Sequence, residues 1–80
     1  MNRVEALEKY GAKEVKFASY YKYGFDFTGD GLTVCLNGDV HDIYRLSVRA
    51  DEIYTVATLM EECPVSIYEG EELVYEERCW

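Results

Sequence analysis

The sequence predicts an α+β fold: an antiparallel sheet of about five strands, built as a three-strand meander plus a C-terminal hairpin, covered by one main helix and joined by a short N-terminal helix. Three observations predict it. Ile53, Val56, Ala57, Met60 and Cys63 recur at three- and four-residue steps and so share one helical face. Residues 14–28 alternate with period two and are rich in aromatics, which is the signature of a strand. Glycine-bearing turns separate the remaining apolar runs.

The elements follow in order. Asn2 to Tyr10 reads as a short helix with Asn2 as N-cap, Val4, Leu7 and Tyr10 as its apolar edge, and Gly11 as its stop. Such a length cannot stand alone, so this helix must dock on the sheet or fray. In the long alternating run, Val15, Phe17, Ser19, Tyr21, Tyr23, Phe25 and Phe27 fall on one face. The run far exceeds the usual five or six residues, so it bends near Ser19–Lys22 or breaks into two strands there. Gly29-Asp30-Gly31 is a turn. Leu32, Val34 and Leu36 point inward from the next strand. Asn37-Gly38 signals a hairpin into a further strand over residues 40–48, with Val40, Tyr44, Leu46 and Val48 inward if the loop is longer than two residues or bulged. The main helix is expected over 51–63. Asp51 and Glu52 suit the positive end of its dipole, Tyr54 lies off its apolar stripe, and Pro64 ends it. Val65–Tyr68 and Glu72–Glu76 form the closing hairpin around Glu69-Gly70-Glu71, with a register that the pattern leaves open.

A chain of 80 residues makes one domain, 1–80. It buries only about 60–65% of its unfolded surface, so its stability is marginal. The sequence shows no apolar run of signal-peptide or membrane-span length, and a cytoplasmic location is expected, that of the host cell if the chain is phage-encoded. Cys35, Cys63 and Cys79 are too far apart for zinc spacing and read as free thiols.

Charge is the informative property. Residues 1–25 hold five bases against three acids, whereas residues 26–80 hold three bases against thirteen acids, a net of −10. Such a surface repels nucleic acid and anionic lipid and attracts basic proteins, although acidity also serves plain solubility.

No catalytic constellation emerges. Asp39, His41 and Asp42, helped by Asp26 or Asp30, could contribute to a metal site, but a lone histidine among turn-forming acids gives no recognised ligand spacing. Ser19, Ser47 and Ser66 all read as strand residues, with no nucleophile elbow and no base at hand. No glycine pattern cradles a phosphate. The expectation is a protein that is not an enzyme and uses no cofactor and no metal.

The aromatics are the second signal. Eight tyrosines occur, and Tyr20, Tyr54 and Tyr68 are expected to point outward near the acids. Exposed rings among carboxylates make a protein-binding surface, though strand-forming tyrosines need no partner. The expected partner-binding set is Glu61, Glu62, Tyr68, Glu69, Glu71, Glu72, Tyr75, Glu76 and Glu77, with Tyr54 at its margin. In size, charge and tyrosine content the chain resembles small acidic inhibitors: phage-encoded anti-defence proteins, including anti-CRISPR proteins and DNA mimics, and the immunity proteins of toxic nucleases. The resemblance covers no motif and assigns no residue. It implies a basic, nucleic-acid-binding protein as partner, with carboxylates standing in for phosphates and tyrosines for bases. Direct nucleic-acid or membrane binding is not expected, and the chain is expected to be a monomer or weak homodimer. The rival expectation is an accessory protein that assembles through a sheet edge.

Overall fold

A computed structural model describes residues 1–21, 24–38 and 52–78. The alternating run breaks into two strands, β1 (Glu14–Tyr21) and β2 (Gly24–Gly29), which pair antiparallel with Phe17 opposite Phe27. Register shifts between Phe17 and Ser19, so a bulge bends β1 where the long run had to yield. The turn at Asp30-Gly31 leads into β3 (Leu32–Leu36). Both turn residues have positive φ, +50° and +76°, which is what a two-residue type I′ hairpin requires of an Asp-Gly pair. These three strands make an antiparallel meander, but not the expected one: its first strand has divided into β1 and β2, and its expected third strand, over residues 40–48, lies outside the described residues.

The sheet continues in an order that the sequence does not announce. Across the described residues it runs β4-β1-β2-β3-β5-β6, where β4 is Ile53–Thr55, β5 is Val65–Glu69 and β6 is Glu72–Glu76. All its ladders are antiparallel. β3 is paired over Leu32–Cys35 with β2 on one side and along its full length with β5 on the other. The hairpin expected at Asn37-Gly38 therefore has no edge to pair with. Asn37 instead donates its side-chain amide to Ser66 Oγ at 2.7 Å and to the Glu77 carbonyl at 2.8 Å. The strand expected over 40–48 lies outside the described residues.

The main helix is shorter than its periodicity suggests. It is α2, Val56–Glu62, with Thr55 as N-cap, rather than a helix from Asp51. Ile53, Tyr54 and Thr55 extend and pair with Lys16, Val15 and Glu14 of β1. Their β-branched and aromatic side chains favour that choice. Ile53 is consequently 57% exposed instead of lying on a buried stripe, and Tyr54 is buried instead of outward. Thr55 Oγ1 accepts from Thr58 N, while the N–H groups of Val56 and Ala57 donate to the carbonyls of Lys13 and Gly11 at 2.9 and 3.0 Å. Three of the donors that a helix start leaves open are met this way. Cys63 is fully extended at the other end, as the following proline demands.

The N-terminal helix is α1, Arg3–Tyr10, capped by Asn2 accepting from Glu5 N. Its buried residues are Ala6 and Tyr10, with Leu7 packed alongside, whereas Val4 is 64% exposed. Gly11 ends it in a right-handed conformation, so the glycine is needed for room: a Cβ would stand 2.4 Å from the Leu7 carbonyl oxygen.

The helices cover one face of the sheet. That face carries a row of partners across five strands, Phe17, Phe27, Val34, Ile67 and Tyr75. Phe27 sits edge-on to Phe17 and Tyr54, with centroids 5.8 and 5.5 Å away. Val56, Leu59, Met60 and Cys63 close the core from α2. The opposite face carries Lys16, Thr28, Thr33, Tyr68 and Leu73 as one row of cross-strand partners.

Candidate functional site

The acids of the last two strands divide into two groups. Glu69, Glu71 and Glu72 surround the turn between β5 and β6, and Glu69 and Glu72 are direct cross-strand partners. Gly70 opens this turn with φ +58°, the backbone that a type II′ turn asks of its first residue. Gly70 N–H donates to the Gly31 carbonyl at 3.3 Å, which sets the Asp30 turn beside it. Glu76 and Glu77 lie at the other end of β6. Four strand steps separate Glu72 from Glu76, about 13 Å.

These carboxylates are not equally free. Glu71, Glu72 and Glu76 are exposed. Glu69 accepts a hydrogen bond from Tyr10 Oη, and Lys9 Nζ stands 3.9 Å from the same oxygen and 5.2 Å from the Tyr10 ring centroid. That bond and burial push the Tyr10 hydroxyl above its ordinary pKa. Glu77 turns inward: its side chain is only 9% exposed, it is bonded to Arg3 Nη1, and its other oxygen accepts from Val65 N at 3.3 Å. Arg3 also donates to the Met60 carbonyl at 2.9 Å, so one guanidinium ties α1, α2 and the end of β6 together. Glu77 is thereby a structural carboxylate. Arg78 pairs with Glu76 at 3.3 Å but is 90% exposed, and such a pair contributes little.

Glu61 and Glu62 end α2, where the helix dipole is negative and no base stands in the last turn. Local stability disfavours acids there. Tyr68 is half-buried between Thr33 and Leu73 on the face opposite the described helices. Tyr75 is buried in the core row, and burial first, then the nearby Glu77, raise its pKa. Its ring offers no contact surface. Of the nine expected residues, Glu71, Glu72, Glu76, Glu61 and, in part, Glu62, Glu69 and Tyr68 remain presented to solvent. Tyr20 lies where no side-chain environment is described.

Three polar features escaped the sequence pattern. Asn37, Arg3 and Tyr10 bind residues distant in the chain, and no local spacing marks them. Asp26 is buried directly opposite Cys35. Burial, then the hydrogen bond with Asp26, push the Cys35 thiol up to about 12, so it remains protonated and weakly nucleophilic at neutral pH. A shallow cleft of about 330 Å³ is lined by Asn37, Ser66, Glu76, Glu77 and Arg78. Among the described residues no group of three or more His, Cys, Asp or Glu side chains is placed to hold a metal ion. Asp39, His41 and Asp42 lie outside those residues. No described helix is long and apolar enough to cross a membrane. Compared with protein-family models, with curated proteins and with solved structures, the chain finds no match.

Proposed function

We propose that this chain is a small, non-enzymatic acidic inhibitor that occupies the nucleic-acid-binding surface of a basic protein. The observation that carries the reading is the β5–β6 hairpin. It holds Glu71, Glu72 and Glu76 exposed on a stiff ladder, with Glu69 at its turn, and Arg78 is the only cation among described residues 61–78. A rigid frame that spaces carboxylates over about 13 Å presents charge without the ordering cost of a flexible tail. Glu61 and Glu62 support the same reading, because they stand where the helix itself would prefer bases. Tyr68 supplies a ring beside the acids, able to take the place of a base against an aromatic or arginine surface. The role is of the anti-defence kind, carried by a phage or mobile element against a nuclease or an RNA-guided complex, or of the nuclease-immunity kind.

Charge reversal tests it. Glu61→Lys, Glu71→Lys, Glu72→Lys and Glu76→Lys are combined, and Glu77 is left intact because Arg3 and Val65 depend on it. The tagged parent should retain a basic nucleic-acid-binding protein at low salt and release it at high salt, while the reversed chain retains none and melts cooperatively. Equal retention by the reversed chain contradicts the reading.

A further inference from the structure

β6 ends the sheet formed by the described strands. It pairs with β5 alone among the described strands. Glu77 N–H turns inward to the Val65 carbonyl at 2.7 Å, so by alternation the N–H and C=O of Glu76 point away from β5. Main-chain groups that point away from the described sheet in this way are a template for another strand. The flanking side chains select which strand. Glu72 and Glu76 are exposed, and Leu73 is 44% exposed beside Tyr68. The extra residue at Val74, where register shifts, bends the edge and confines pairing to a short stretch.

A second copy of this chain would lay two glutamate-bearing edges side by side, and like charges across a ladder are unfavourable. The extra residue at Val74 puts Glu76 and Leu73 on the same side of β6, so an extended segment with lysine or arginine opposite Glu76 and, two residues away on the same face, an apolar residue opposite Leu73 meets complementary charge and an apolar notch at once. We propose that β6 receives such a basic, extended segment of a partner protein as an added strand. The inference rests on the basic-partner reading above and assigns it a binding mode: main-chain pairing supplies affinity, and alternate side chains supply selection.

The probe is a synthetic peptide in which lysine and valine take turns at every second position with threonine between them, so that one face carries both, beside the same peptide N-methylated at every second residue, which keeps its charge and loses the donors on one edge. Binding by anisotropy and hydrogen exchange at the Glu76 amide are the readouts. The plain peptide should bind and slow exchange at Glu76, and the methylated peptide should bind about tenfold more weakly. Glu76→Gln, which keeps the N–H, should weaken binding about two- to threefold, whereas Glu76→Pro, which removes it, should approach the methylated result. The methylated comparison uses the unaltered chain, so it decides the matter even where the proline variant folds poorly. Equal binding of both peptides, or unchanged exchange at Glu76, overturns edge pairing and leaves a charge-only mode for the basic partner. No binding of either peptide also overturns it, and the basic-partner reading is then judged separately by displacement of nucleic acid from the partner.

Discussion

Tyr10 and Tyr75 show how single side chains commit this small domain. Each ring is buried with its hydroxyl beside a glutamate, Glu69 or Glu77, and each pKa is raised above the ordinary 10.0, for Tyr10 first by that hydrogen bond and for Tyr75 first by burial. A raised pKa favours the protonated form in the folded state, so the associated stability is whole below pH 10 and is lost as pH climbs through the raised values. A tyrosinate absorbance titration should show part of the tyrosine signal emerging late, together with a falling melting temperature above pH 10. Tyr10→Phe should remove one late component and cost about 1 kcal/mol. Titration of all tyrosines at the ordinary value contradicts the placing of these hydroxyls beside Glu69 and Glu77. The same scale explains why the expected set of nine partner-binding residues was only partly legible. Period two put Glu76 outward correctly, but it could not say that Glu77 folds inward to Arg3, seventy-four positions away in sequence. Nor could it place Tyr75 in the core, because a bulge at Val74 resets which residues of β6 face the helices.

At the scale of elements, the boundary between β4 and α2 carries the clearest lesson. The apolar spacing from Ile53 to Cys63 fits a helix throughout, yet the chain extends through Thr55 and turns helical only at Val56. Thr55 is the better cap because its hydroxyl meets Thr58 N while residues 11–13 supply carbonyls to the next donors. That long-range supply is invisible to a local pattern. Thr55→Ala should cost about 1 kcal/mol, or roughly 4–8 °C in melting temperature, whereas Thr55→Ser should be close to neutral. A silent alanine would move the helix start elsewhere. Val56 is fully buried, so Val56→Asp places an unpaired charge in the core, at a cost of several kcal/mol against about 5 available, and should abolish the cooperative melt. Survival of that melt would mean the helix presents another face. Local signals with their own turn chemistry were read correctly: Asp30-Gly31, Gly70, the Asn2 cap and the stop at Pro64. Asn37-Gly38 misled because Asn37 serves a tertiary bond to Ser66 and Glu77.

For the whole molecule, fold class and sheet type were legible because alternation and helical spacing are local. Strand order was not, since it is decided by which edges meet after collapse; β3 was claimed by β5 across an intervening stretch. The result places the strongly acidic hairpin at one edge and a three-residue strand at the other. The described helices occupy one face, and the other carries Lys16, Thr28, Tyr68 and Leu73 beside the acids of the hairpin. In the proposed function, this charged edge competes with nucleic acid for a basic partner. The most direct measurement is displacement: labelled nucleic acid bound to the retained basic protein is titrated with this chain and with the Glu61→Lys, Glu71→Lys, Glu72→Lys, Glu76→Lys variant. The account predicts stoichiometric release by the parent, weakened by salt, and none by the folded variant. Nucleic acid that stays bound while this chain also binds, or release by the reversed variant equal to the parent's, would contradict it.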